Sequence, residues 1–175
     1  MTYNKINLAI AKIASKDNNR PELSSVFFTR NKTVATNSYM LLEVSIPTAE
    51  PNIAGAMQSC NPFLVSASDI IKIKSESVAI KHIDAKAIQF IADNQIITIP
   101  RIDGQFPDYD KIFPQGKPKA EVIVNAKYLR TLLENLGKLS DNITIKIHGD
   151  DKPVVLTASY GNHQFSRALL IPVKK

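Results

Sequence analysis

The chain has a single cysteine, Cys60. No intramolecular disulfide can form, and a reducing, cytoplasmic location is the expectation. No apolar run approaches the roughly 20 residues that a bilayer span requires, so no membrane association is expected. The opening stretch "MTYNKINLAIAKIASKD" lacks a long apolar h-region and a small-residue cleavage site. Its apolar positions are spaced as on a helix, so it reads as part of the fold and not as a signal peptide. Six glycines are spread over 175 residues, with no glycine-rich phosphate loop and no nucleophile elbow. His82, His148 and His163 sit in strand or turn contexts without metal-ligand spacing. Asp103, Asp108 and Asp110 cluster without the ligand pattern of a calcium loop, and turn propensity accounts for Asp103 before Gly104. Cys60 has no flanking histidine or basic cluster to activate its thiol. The expectation is a protein with no catalytic residues, no metal and no cofactor.

What is present is a globular composition. Apolar residues make up 44 % and charged residues 22 %, which supports a packed core. The length suits one ordinary domain or two small ones. A net charge of +6 and a pI of about 9.4 mildly favour an anionic partner such as nucleic acid.

Three segments are spaced as helices. In the first, Ile6, Ile10, Ile13 and Ala14 fall on one face, while Lys5, Lys12 and Lys16 form a separate basic stripe. The second, "SASDIIKIKSES", is short, with Ser66 or Ser68 as its N-cap. Ile70, Ile71 and Ile73 are expected to face inward there, and Lys72 and Lys74 to face solvent. In the third, "NAKYLRTLLENLGKLSDN", Leu129, Leu132, Leu133 and Leu136 make the apolar face. Lys127, Glu134 and Lys138 share another face, with Arg130 beside it, and Gly137 weakens the last turn.

The rest alternates as strands. "NITIKIHGD" places Ile143, Ile145 and Ile147 on one side and Thr144, Lys146 and His148 on the other. Tight turns are signalled at Arg30-Asn31-Lys32, Asp93-Asn94 and Gly161-Asn162. One order recurs: a helix, about three strands, then closure on Ile46-Pro47, Ile99-Pro100 or Ile171-Pro172. Helices begin near residues 4, 68 and 126, about 60 apart. The pattern predicts an α+β chain of three βαβββ-like half-units, with helices on one face of antiparallel sheets. "FLVSA" leads the second and "EVIVNA" the third; the first lacks a leading strand unless "MTY" supplies it. The expected division is a domain of two half-units over 1–114 (1–50 and 60–114) and a third half-unit over 115–175.

Between the second and third lies "RIDGQFPDYDKIFP", a connector with two prolines and three aromatics. It looks like the segment that closes the middle domain of the bacterial DNA polymerase III sliding clamp, the β subunit. "RPELSSVFFTRNKTVATNSYMLLEV" resembles the first half of that domain, and "NPFLVSASDIIKIK" onward its second half. "EVIVNAKYLRTLLENL" to "RALLIPVKK" resembles the second half of the last domain. The "DGxFPDY" run and the "NxxYLxxLL" helix are the most specific parts. Against a full subunit, the first domain and the first half of the last are missing, and the chain is basic where clamp subunits are usually acidic. In the connector, Phe106, Tyr109 and Phe113 are expected to pin the crossing to the domain surface, while the prolines deny it helix or sheet.

The resemblance implies a DNA-clamp (processivity) fold and a ring whose helices face duplex DNA without base readout. The lining residues it implies are Lys5, Lys12, Lys16, Lys72, Lys74, Lys127, Arg130 and Lys138, with Glu134 the one acidic residue among them. It also implies a groove for clamp-binding peptides of a DNA polymerase and a clamp loader. The matching positions are Leu23, Thr36, Ser38, Tyr39, Met40 and Leu41, then Pro107, Lys111 and Ile112, then Asn125, Tyr128, Leu169, Ile171, Pro172 and Val173. Ser38 and Tyr39 replace a usual Gly-His pair, and Met40 a usual arginine. Rings of this kind hold twelve half-units, so three per chain imply a homotetramer. A clamp-derived regulator that does not encircle DNA, and a general basic nucleic-acid-binding domain, are the other readings.

Overall fold

Asn4 starts the first helix by a reciprocal cap. Its side chain accepts from the Ile6 and Asn7 amides at 3.1 Å each, and Asn7 Oδ1 accepts from the Asn4 amide at 3.2 Å. The computed structural model describes residues 2–46, 61–82, 84–92, 95–114, 116–138, 140–160 and 164–173. Cys60, His163 and the turns expected at Asp93-Asn94 and Gly161-Asn162 lie outside these residues. The chain divides into two units, Met1–Ile112 and Phe113–Lys175.

Unit 1 contains β1 (Thr2–Asn4), α1 (Lys5–Ala9) with a 3-10 turn at Ile10–Ile13, β2 (Ser25–Phe28), β3 (Lys32–Thr36) and β4 (Leu41–Ser45). It continues with β5 (Phe63–Ser66), α2 (Ala67–Ile70), β6 (Ser77–His82), β7 (Ala87–Ala92) and β8 (Gln95–Ile102). Two half-units are thus present, each a leading strand, a helix and three strands, and Thr2–Asn4 supplies the first leading strand. The sheet order is β1-β6-β7-β8-β5-β2-β3-β4. The leading strands are therefore exchanged: β1 pairs with β6 of the second half-unit, and β5 with β2 of the first. The residue that precedes each helix lies opposite the start of the accepting strand, Asn4 opposite Ser77 and Ser66 opposite Ser25.

The exchange is held by aromatic packing. Phe28 on β2 stacks on Phe63 of β5 at 5.1 Å between centroids and meets Tyr3 of β1 and Phe90 of β7 edge-on at 5.2 and 5.7 Å. Asn7 is fully buried, and its amide group lies 3.2 Å from each of Thr33 Oγ1, Val44 O and Ser45 O, tying α1 to β3 and β4.

Two expected helix faces are corrected. In the first only Ile6 departs, at 61 % exposed; Ile10 is buried and Ile13 and Ala14 pack against the core as expected, joined there by Asn7, Leu8 and Ala11. Ile6 lies in the five-residue helix, before the turn tightens to three residues per turn, so it does not share the face that Ile10 and Ile13 keep. Likewise α2 is one turn long, so Ile70 and Ile73 are buried while Ile71 is exposed. Ser66, one of the two expected positions, is the N-cap residue, but its side chain makes no capping bond; its hydroxyl and that of Ser68 bond each other at 2.8 Å.

The connector packs on the opposite sheet face. Phe27 neighbours Phe28 and so points away from the main core. Phe106 stacks on it at 4.9 Å, and Phe106, Tyr109, Val34 and Leu64 form a second small core. Asp103-Gly104 makes the turn with Gly104 at φ 154°. Phe113, expected to help pin this crossing, is half-exposed. The chain has by then passed a 3-10 turn at Asp110–Ile112.

Unit 2 is a single half-unit: α3 (Ala126–Leu136), β9 (Thr144–Lys146), β10 (Val154–Tyr160) and β11 (Gln164–Leu170), in sheet order β11-β10-β9. Asn125 caps α3, accepting from the Lys127 and Tyr128 amides at 3.0 and 3.3 Å. Leu129, Leu132, Leu133 and Leu136 pack toward Val154, Leu156, Ala158 and Leu170, as the leucine spacing predicts. The segment expected as a leading strand, 121–124, is in no sheet; Ile123 O accepts from Val173 N at 2.8 Å. Ile145 and Ile147, which share a side with Ile143 in the alternation, are exposed. They lie on or just past β9, the edge strand, with no neighbouring strand beyond it among the described residues.

Candidate functional site

The eight candidate cations are all exposed, but they stand in different settings. Lys5 opens α1 and pairs with Glu76. Lys72 pairs with Asp69 at 2.8 Å, and Arg130 with Glu134 at 2.7 Å, a contact that holds the guanidinium pKa above its ordinary value. Glu134 is therefore not the one acidic residue in these stripes, since Asp69 and Glu76 also stand among them. Lys138 lies past the helix end and donates to Asn135 Oδ1 at 3.3 Å. Among the described residues, Lys12, Lys16, Lys74 and Lys127 have no ion pair. Lys16 lies beyond the 3-10 turn, outside the helix.

In unit 1 the fold brings Lys5, Lys12 and Lys74 around one groove of about 400 Å³, floored by Leu8, Ile70 and Ile73 and edged by Glu76. The two short helices create it: each buries its apolar side, which leaves its lysines at the rim.

Of the expected peptide-binding positions in unit 1, Leu23 is 2 % exposed and belongs to the core. Thr36 is also buried, where its hydroxyl donates to Met40 O at 2.9 Å and accepts from the Ser38 amide at 3.2 Å. These bonds build a turn whose tip carries Ser38 at φ 76°, a left-handed conformation that favours glycine. Tyr39 is 97 % exposed there, with Met40 half-exposed beside it and Leu41 packed toward the connector core. Pro107 is half-buried, Ile112 is exposed, and Lys111 pairs with Asp108, which raises its pKa.

In unit 2, Ile171, Pro172 and Val173 line a cavity of about 430 Å³ with Ile123, Glu121, Asp150 and Asp151. Ile123 and the three carboxylates were not expected from sequence. Ile123 belongs to a run that reads as an ordinary strand, and Asp150 and Asp151 sit in a turn 20 or more residues from the tail. Tyr128 and Leu169 are exposed and outside this cavity, and Asn125 is engaged in capping.

No protein-family profile matches the sequence, and no curated protein matches it. Solved structures do match. The DNA polymerase III beta chain of Streptococcus pneumoniae superposes with a TM-score of 0.74 at 18 % identity, over 99 % of this chain and 49 % of its own. The beta subunit of Borrelia burgdorferi, solved with a natural product, gives 0.78 at 18 % identity over 98 % and 48 %. A Bacillus subtilis sliding clamp gives 0.68 at 18 % identity over 99 % and 49 %. This chain spans about half the length of each, and over that half it has the fold of the bacterial DNA polymerase III sliding clamp.

Proposed function

We propose that this chain is a DNA sliding clamp: a processivity factor without catalysis of its own, which surrounds duplex DNA as an oligomeric ring and tethers a polymerase. The observation behind this reading is the clamp fold over 98–99 % of the chain, with all eight candidate cations exposed on or beside its helices. Exposed amines contact phosphates through charge and read no bases, so the grip persists while the ring moves along the duplex. Tethering raises the local concentration of polymerase at the primer end, which is the mechanism of processivity. With twelve half-units per ring, four chains close it. Peptides of a polymerase and a clamp loader are the partners, with the apolar cavity of Ile123, Ile171 and Val173 as a docking point. The setting for replication of this kind is the cytoplasm; among the described residues no helix is long and apolar enough to cross a membrane.

The test is topological. The protein should stay on a closed circular plasmid through gel filtration and be released when the plasmid is linearised. Equal retention on both forms would point instead to a general basic DNA-binding domain. Ile171→Asp should abolish capture of a clamp-binding peptide at unchanged circular dichroism, and unchanged affinity would remove the cavity from the partner site.

A second reading is a clamp-derived protein that binds a polymerase or a host clamp without encircling DNA. The pairing of Lys5, Lys72 and Arg130 with carboxylates favours it, since it lowers the charge available to phosphate. A species without plasmid retention that still captures a polymerase peptide is its signature.

A further inference from the structure

We infer that unit 2 completes its fold by exchanging leading strands with unit 2 of a second copy of this chain. The inference rests on the repeat inside unit 1 and not on the DNA reading. In unit 1 no half-unit uses its own leading strand beside its first post-helix strand; β1 goes to β6 and β5 to β2, about an internal two-fold relation. Unit 2 holds one half-unit, and it leaves open both edges that such an exchange would use. β9, the counterpart of β2 and β6, is an edge strand. The 121–124 segment, the counterpart of β1 and β5, lies in no sheet. Ile123 bonds Val173, while Val122 and Val124, whose amides face the other edge in an extended chain, have no backbone hydrogen bond among the described residues.

The register follows from unit 1. There the residue before the helix lies opposite the residue before the first core-facing position of the accepting strand: Asn4 opposite Ser77, before Val78, and Ser66 opposite Ser25, before Val26. In unit 2 the residue before the helix is Asn125 and the first core-facing residue is Ile143. Asn125 then meets Asn142 of the second copy, Val124 meets Ile143, Ile123 meets Thr144, Val122 meets Ile145, and Glu121 meets Lys146.

Two independent features fit this register. Valines meet isoleucines on the core side, and the terminal pair has opposite charge in both halves of a two-fold interface. The exposures fit as well. Ile145 takes the place of Phe28, which is fully buried under β5, yet Ile145 is 53 % exposed. Leu129 takes the place of Leu8 and Ile70, four residues after the cap; those two are buried in the core that both half-units of unit 1 share, whereas Leu129 is only partly covered. The exchange covers both and yields one eight-stranded sheet from two chains. The resulting dimer holds six half-units, so two dimers would supply the twelve of the proposed ring.

The register names its own probe. Ile123 and Thr144 form a non-hydrogen-bonded antiparallel pair, whose close Cα atoms suit a disulfide. In a Cys60→Ser background, Ile123→Cys/Thr144→Cys should give a covalent dimer on a non-reducing gel after mild oxidation, and either single cysteine should not. Glu121→Lys should weaken self-association by about three- to tenfold, and Glu121→Lys/Lys146→Glu should restore it. A native mass of one chain at tens of micromolar, or an oligomer that fails to form the Ile123–Thr144 crosslink, overturns the inference. A crosslinked dimer that never reaches four chains and never holds plasmid supports this interface and removes the ring.

Discussion

Ser38 shows how one backbone angle is reflected in residue choice. Its φ of 76° lies in the region where an L side chain crowds its own carbonyl, and its amide is held there by Thr36 Oγ1. Ser38→Gly should therefore raise the unfolding free energy of unit 1 by about 1 kcal/mol, read from urea melts, since relief of strain exceeds the added unfolded-state freedom. A second local constraint joins β3 to the connector. Lys32 Nζ lies 2.8 Å from Glu43, 3.5 Å from Asp110 and 5.0 Å from the Tyr109 ring centre. The hydrogen bond to Glu43 is the main reason the Lys32 pKa stands well above its ordinary value, and burial is the main reason Tyr109 is raised. Both groups keep their protons in the folded state at pH values where the unfolded chain releases them. Their stabilisation is complete below about pH 10 and is lost as pH rises beyond it. Urea melts should show stability falling above about pH 10, and Tyr109→Phe should flatten part of that fall. A Tyr109→Phe profile as steep as the wild type would count against the assignment.

At the element scale, the three helices differ in what holds them. α1 and α2 have five and four residues, too few to persist by propensity, and are held by Asn4, Asn7 and the aromatic core. α3 has eleven residues, a capping asparagine and a leucine face. Asn7→Ala removes the donor that serves Thr33, Val44 and Ser45. It should cost about 2–3 kcal/mol in unit 1, because the buried Thr33 hydroxyl and two part-buried carbonyls lose their donor. Asn125→Ala should cost about 1 kcal/mol in unit 2, the ordinary value of an N-cap. Hydrogen exchange reports each unit separately and should show each loss confined to its own unit. The leucine stripe of α3 was legible in the sequence because a long helix preserves its period. In α1 and α2 the expected faces hold except at Ile6 and Ile71, because helices of five and four residues are too short to fix every position at 3.6 residues per turn.

At the scale of the whole molecule, the proposed function rests on charge and assembly. Lys12, Lys16 and Lys74 stand in unit 1 without ion pairs among the described residues, while Lys5 and Lys72 are paired. Lys12→Gln/Lys16→Gln/Lys74→Gln should reduce the slope of log affinity against log salt for duplex DNA by about 3. Lys72→Gln should change it by less than one unit, since its charge is already met by Asp69. Equal changes from paired and unpaired lysines would sink the distinction.

The sequence alone determined the order of a helix followed by three strands in each half-unit, the leucine face of α3 and the apolar connector, because each rests on local period or turn chemistry. It also carried, through "DGxFPDY" and "NxxYLxxLL", the resemblance to the sliding-clamp fold that the structure bears out. Only the tertiary structure decided that leading strands are exchanged between half-units, that Leu23 and Thr36 are buried, and that Glu76 and Asp69 sit on Lys5 and Lys72. Only it showed the open strand and edge of unit 2. The physical reason is common to all of these. Strand partners and ion pairs join residues far apart in the chain or on neighbouring turns whose directions depend on packing, and no local period records which distant edge a strand will complete.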